Sequence, residues 1–357
     1  MAMAKELWKG NEAMAEAAIR AGLKCYFGYP ITPQSEIPEY FSLHLPEHGG
    51  VFLQAESEIA AINMVYGAAG AGVRTMTSSS SPGISLKQEG ISYIAGAELP
   101  CVILNVMRGG PGLGTIQPAQ GDYFQATRGG GNGDYRMVVL APANVQEATD
   151  LMRLAFDLAD KYRMPVMILA DGMIGQMMEP VEWPDESAPE PIDKLWATTG
   201  TKGVRKHNVI NSLFMEAEAC AAHNIKLDQK YRTIAEQETR YELVGAEEAE
   251  ILFAAFGTPS RLARAASKIL EEEDGIKSAV FRPISLWPYP YQALYEAINQ
   301  DEIKAVVTVE LNTGQMLDDV RIANQGCKPI SFIGKSGGMI PTPREIAVAA
   351  KEALGRK

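Results

Sequence analysis

Cys25-Tyr-Phe-Gly-Tyr-Pro-Ile-Thr-Pro33 opens as a short strand-like run and closes on two prolines that fix a turn on either side of Ile31-Thr32. The pattern repeats outward from it. Gln34 to Leu43 reads as a helix and Val51-Phe-Leu-Gln54 as a strand. From about Ser57 a helix of small residues follows, headed by the lone acid Glu58. Val73-Arg-Thr-Met-Thr77 is the next strand, running into Ser78-Ser-Ser-Ser-Pro-Gly83, and Leu86 to Ala97 is helical again. Pro100-Cys-Val-Ile-Leu-Asn-Val106 and Pro165-Val-Met-Ile-Leu-Ala170 are near-continuous apolar strands, with a glycine-rich loop over 109–133 and a helix over 145–160 between them. Short apolar strands alternating with helices predict an α/β fold, a doubly wound parallel sheet buried on both faces.

Upstream, residues 12–21 read as an amphipathic helix stopped by Gly22. Downstream, residues 184–194 are rich in Pro, Glu and Asp and read as a linker, and 209–237 as a long polar-faced helix broken near His223-Asn224. Strands at 251–256, 279–281, 305–310 and 329–334 form a second, smaller α/β unit. The expected domains are 1–185, a linker with helix at 186–244, and 245–357.

The 357 residues carry a formal net charge of −11 with no Lys/Arg cluster, which argues against nucleic-acid binding. The four cysteines, Cys25, Cys101, Cys220 and Cys327, are scattered without a CxxC. That argues against an iron–sulfur or zinc site in this chain and suits a reducing cytoplasm. No apolar run of about 18 residues predicts a membrane span, and the first residues have no signal-peptide core.

In doubly wound sheets, ligands bind beyond the carboxyl ends of the strands. Four segments fall there: Tyr29–Pro33, Gln54–Glu58, Thr77–Gly83, and Asn105–Gly114 with Arg108. Glu58 reads either as a favourable first-turn acid or as a buried acid sharing a proton with a ligand nitrogen. Glu56 is an alternative capping group. Arg108 precedes Gly109-Gly-Pro-Gly112, where a guanidinium beside accessible backbone suits a carboxylate, or pairs with an acid elsewhere. Thr32 offers a hydroxyl to a ligand or to its own turn. Ser78–Ser81 is a candidate phosphate cradle, although GxxxxGK[ST] is absent, as is GxGxxG at the first βα turn. The four histidines have no metal spacing, and no metal ligands are expected.

Taken together, Tyr29-Pro-Ile-Thr-Pro33, Ser57-Glu58 with its small-residue helix, Thr77–Gly83 and Val106-Met-Arg108 resemble the α subunit of 2-oxoacid:ferredoxin oxidoreductases. Arg282-Pro-Ile-Ser-Leu-Trp-Pro288 and Val309-Glu-Leu-Asn-Thr-Gly314 extend the likeness over nearly the whole chain. The wording of Asn105–Gly114 and Gln120–Gln125 is most similar to subunits for branched-chain 2-oxoacids, chiefly 2-oxoisovalerate, with 2-oxoglutarate or pyruvate as the alternative. The resemblance implies a thiamine-diphosphate-binding domain of the pyrimidine type and a transketolase C-terminal-like domain. It implies that Glu58 holds the aminopyrimidine N1′, whose shared proton drives the 4′-amino group to the imino form that deprotonates the thiazolium C2. Tyr29, Pro30 and Ile31 would contact the cofactor. Thr32 and Arg108 would contact the 2-oxoacid, Arg108 at its carboxylate. The family's GDG diphosphate–magnesium motif is absent here, so Mg2+ and the iron–sulfur clusters are expected on β and ferredoxin-like δ partners in a complex with γ, with ferredoxin as electron acceptor and coenzyme A as co-substrate. A non-catalytic assembly subunit on the same scaffold is the reading from another class; a nicotinamide-dependent dehydrogenase is disfavoured by the missing fingerprint.

Overall fold

The computed structural model describes residues 5–184, 193–245 and 247–356. A seven-stranded sheet runs in the order Ser285–Trp287, Val138–Leu140, Pro165–Asp171, Cys101–Met107, Thr75–Ser79, Cys25–Gly28, Val51–Gln54. All of its pairings are parallel except that of Ser285–Trp287 with Val138–Leu140. The expected α/β class is what forms. Every residue of Cys101–Met107 and Pro165–Asp171 is buried, which is why these strands read as unbroken apolar runs: helices cover both faces, so no polar alternation survives. One face packs on the helices Gly10–Arg20, Glu36–His44 and Val145–Tyr162. The other packs on Glu58–Gly70 and Ser81–Gly96 and continues into the second unit through Phe256, Phe281 and Leu294.

The second sheet has five strands, in the order Ile330–Gly334, Ala305–Glu310, Ile251–Ala254, Ser278–Pro283, Tyr241–Val244, the last antiparallel at the edge. The chain thus exchanges strands between units. Tyr241–Val244 joins the second sheet, while Ser285–Trp287, after entering that sheet through Ser278–Pro283, returns to the edge of the first. Arg282 locks the crossing. Buried, it donates to both oxygens of Glu147 (2.9 and 2.8 Å) and to Glu242 (2.7 and 3.0 Å).

Three expectations change. The helix expected over 209–237 runs from Ala217 to Gln237 without a break. Neither His223 nor Asn224 is a helix breaker, and the His223 ring is held by the Gly96 carbonyl at 2.7 Å and by stacking on Phe214. The glycine-rich loop over 109–133 contains a helix, Tyr123–Arg128. Strand Thr75–Ser79 extends into the serine run and the next helix begins at Ser81, so Ser78–Ser81 is not a phosphate cradle. The N–H groups of the helix's first turn are committed, Ser81 N–H to Asn105 Oδ1 (3.2 Å) and Gly83 N–H to Ser80 O (2.8 Å), while Pro82 has none. The Pro-rich linker lies mostly at 185–192, outside the described residues.

Polar contacts fasten the two units. Gln120 is wholly buried; its Nε2 donates to Phe256 O (2.9 Å) and its Oε1 accepts from Leu311 N (3.0 Å). Asp171 accepts from Thr258 N (2.9 Å) and Thr258 Oγ1 (2.7 Å), and Tyr123 Oη donates to Asp319 (2.6 Å). Gln120→Ala strands two buried backbone groups, at about 1–3 kcal/mol each. The expected result is a loss of roughly 2–6 kcal/mol, read as a lower midpoint in thermal or denaturant unfolding.

Candidate active site

The strands Cys25–Gly28, Val51–Gln54, Thr75–Ser79 and Cys101–Met107 run parallel, so the four predicted segments emerge along one edge of the sheet. Each is held by its own local chemistry. The Tyr29–Pro33 turn is stapled by Gln34 N to Ile31 O (3.1 Å), and by the Asn11 and Gln176 amides, both donating to Pro33 O at 2.8 Å. Gln34 is buried and its Oε1 accepts from Ser78 Oγ at 2.5 Å. The outer surface of the turn stays open: Tyr29, Pro30 and Thr32 are exposed and Ile31 is half-buried.

Glu58 is the first residue of the helix Glu58–Gly70 and is 7% exposed. The cap is Ser57, whose Oγ accepts from Ala60 N at 3.1 Å; Glu56 is exposed and caps nothing. That separates the two acids. No hydrogen bond among the described residues reaches the Glu58 carboxylate. Its neighbour is the first turn of the helix Ser81–Gly96, and Gly83 makes that approach possible. A Cβ at position 83 would stand 2.0 Å from Ser79 Oγ and 2.7 Å from Glu58 Oε1. Ser79 Oγ is itself buried without a partner.

Arg108, 8% exposed, reaches the turn from the other side. Its Nη1 donates to Thr32 O at 3.0 Å and its Nη2 to Leu113 O at 3.2 Å, while Nε is buried and unpartnered. No carboxylate among the described residues pairs with it. Thr32 and Arg108 are therefore joined directly. Ser81 stands between Arg108 and Gly83: its Oγ accepts from Arg108 N (3.1 Å) and donates to Asp122 (2.6 Å). The glycine loop after Arg108 also lines a cleft of about 440 Å³ between the two units, with Ser81, Asp122, Asn312 and Gly337.

Two buried groups near the site were not foreseen. Asp122 is held by Ser81 and by Asn105 Nδ2 (2.9 Å), and burial pushes its carboxyl upward. Lys87 is completely buried and donates to Thr77 Oγ1 (2.7 Å) and Ser78 O (2.9 Å). Burial pulls its ammonium down from 10.5 to about 7, against the attraction of Glu58. The available signal was spacing, since Lys87 follows Gly83 by one helical turn.

Lys87 has a pH consequence. The unfolded lysine keeps its proton up to 10.5 and the folded one releases it near 7. Between those values the unfolded state binds more protons, so this residue makes stability rise with pH across that window. Lys87→Met is expected to flatten that rise in unfolding midpoints measured from about pH 7.5 to about pH 9.5.

Residues 16–244 match the model described as pyruvate flavodoxin/ferredoxin oxidoreductase, thiamine diphosphate-binding, and residues 249–346 match pyruvate:ferredoxin oxidoreductase core domain II. The ketoisovalerate oxidoreductase subunit VorB of Methanothermobacter thermautotrophicus is 48% identical over 99% of both chains. The 2-oxoglutarate synthase subunit KorA of Archaeoglobus fulgidus is 39% identical, over 93% of this chain and 95% of its own. Among solved structures, the 2-oxoglutarate:ferredoxin oxidoreductase of Magnetococcus marinus, with 2-oxoglutarate, coenzyme A and succinyl-CoA bound, superposes with a TM-score of 0.85 at 29% identity. The match covers 98% of this chain and 65% of that longer one.

This chain belongs to the thiamine-diphosphate-binding family of pyruvate flavodoxin/ferredoxin oxidoreductases. Within it, the chain is an α-type subunit of a 2-oxoacid:ferredoxin oxidoreductase. The resemblance drawn from the four strand-end segments is borne out.

Proposed function

We propose that this subunit supplies the aminopyrimidine half of a thiamine-diphosphate site for the oxidative decarboxylation of a branched-chain 2-oxoacid, 2-oxoisovalerate, to acyl-CoA and CO2, with electrons passing to ferredoxin. The observation that carries it is a pair of groups at the carboxyl-end side of the first sheet that lack a partner among the described residues: Glu58, whose buried carboxylate accepts no hydrogen bond, and Arg108, which meets no acid. A buried carboxylate alone is costly. A ring nitrogen able to share a proton satisfies it, and the Gly83 cradle with the unpartnered Ser79 hydroxyl leaves polar, close-fitting surroundings for such a ring.

When bound, the cofactor supplies the nucleophilic carbon and the electron sink for loss of CO2. Glu58 holds the proton at N1′. Tyr29, Pro30 and Ile31 pack against the ring. Thr32 offers its hydroxyl to the 2-oxoacid, and Arg108 binds the substrate carboxylate. The diphosphate, Mg2+ and iron–sulfur clusters belong on β and δ partner subunits, with γ completing a cytoplasmic complex that uses coenzyme A and ferredoxin. Two things favour a branched-chain substrate: the 48% identity to a ketoisovalerate subunit, and the four strand-end segments, in which Arg108 is the one cation. The distal carboxylate of 2-oxoglutarate would need a second one.

Assays of the reconstituted complex with 2-oxoisovalerate and 2-oxoglutarate test the substrate. Faster turnover of 2-oxoisovalerate is expected; faster turnover of 2-oxoglutarate overturns that choice.

A further inference from the structure

Lys87 is unused by the function proposed above, yet it is wholly buried next to that site. Gly83, Lys87 and Gly90 form one stripe along the helix Ser81–Gly96, and both glycines touch the neighbouring helix Glu58–Gly70. A Cβ at 83 would meet Glu58 Oε1 at 2.7 Å, and one at 90 would meet Ile62 Cγ2 at 2.5 Å. Residues at these spacings share a helix face. Lys87 therefore faces the helix that Glu58 heads, one turn from the point where the acid is touched. Its ammonium is anchored from the strand side by Thr77 Oγ1 and Ser78 O.

The groups facing Lys87 are few. From its own helix there is no charge on this face. Glu58 comes from the next helix, and its charge is the one that acts on Lys87. The strand Thr75–Ser79 presents only hydroxyls and carbonyls. On the opposite face of the sheet, Tyr26 of the strand Cys25–Gly28 bonds Ser78 Oγ at 2.7 Å, and burial pushes its phenol well up, so it adds no charge.

We propose that Lys87 is a positioning residue for the proton at Glu58: its charge sets the net charge of the floor under the aminopyrimidine, and so which protonation form of that ring the site holds. The inference rests on the reading of Glu58 given above. With an ammonium at Lys87, the Glu58 carboxylate is already balanced and a neutral ring is favoured. With a neutral amine, the floor carries one negative charge and favours the ring cation. Lys87 loses its charge near pH 7, so the balance shifts in the range where the enzyme would work.

The test uses the reconstituted complex loaded with thiamine diphosphate. Circular dichroism of the bound aminopyrimidine is followed from about pH 6 to about pH 9, alongside cofactor affinity and turnover. In the wild type the balance of ring forms is expected to change near pH 7. In Lys87→Met the cofactor should still bind, with the midpoint moved by more than about one pH unit or lost. An unchanged midpoint overturns the proposal. Lys87→Gln is made in parallel, in case the apolar replacement does not fold, and the same two outcomes apply to it. Glu58→Gln separates the two levels. If it leaves ring spectrum and turnover intact, the reading of Glu58 fails. If it alters both while Lys87→Met keeps the wild-type profile, only the role of Lys87 fails.

Discussion

Glu58→Gln is expected to leave folding and subunit assembly unchanged and to lower kcat of the reconstituted complex by about 10²–10⁴-fold. The substitution is close to isosteric. The side chain makes no hydrogen bond among the described residues, so no partner is stranded, and Ser57 continues to cap the helix. What disappears is the capacity to take and return a proton at N1′. Unfolding midpoint, co-purification of the partner subunits and turnover are the three measurements. Normal assembly with normal turnover would make this a non-catalytic assembly subunit and sink the catalytic role. Loss of assembly would mean that the acid is structural.

The second large effect is expected at Arg108. Arg108→Lys keeps the charge and loses the fork. Two N–H groups are already spent on Thr32 O and Leu113 O, which orient the guanidinium and leave its remaining donors for an incoming carboxylate. An ammonium cannot satisfy both carbonyls and the substrate in the same geometry. Losing a hydrogen bond to a charged group costs about 1.5–3 kcal/mol, so kcat/KM for the 2-oxoacid should fall roughly 10–150-fold. The loss should appear mainly in KM, with thiamine affinity little changed. An unchanged KM would remove Arg108 from substrate binding. Because Arg108 also steadies the Thr32 turn, the unfolding midpoint is measured in parallel.

Much of the site was legible because it is written in local chemistry. The prolines at 30 and 33 stiffen a turn, Glu58 stands alone at the head of a small-residue helix, and Arg108 follows a fully apolar strand. Parallel strands then bring their carboxyl ends to one edge without further instruction. The open alternatives were those that depend on neighbours remote in sequence. Whether Glu56 or Glu58 is buried, and whether Arg108 meets an acid, are questions about packing; the answers came from Gly83 and Thr32. The serine run, a candidate phosphate cradle by its sequence, is instead the end of a strand and the start of a helix. Two of its hydroxyls are absorbed from other elements, Ser78 by Tyr26 and Gln34 and Ser81 by Asp122, while those of Ser79 and Ser80 are buried without a partner.

By itself, the sequence determined the α/β class and the strand-end segments, because periodicity, turn residues and helix-heading acids act within a few residues of themselves; the family came from the likeness of those segments to a known pattern. Only the tertiary structure decided that Ser285–Trp287 leaves its own unit for the first sheet, that Gln120 and Asp171 fasten the two units, and that a lysine lies buried beside the helix of the key acid. Each of these is a long-range pairing. A buried charge or an unpaired backbone group is tolerable only with a specific partner, and that partner is chosen by the packing of whole elements rather than by the residues on either side.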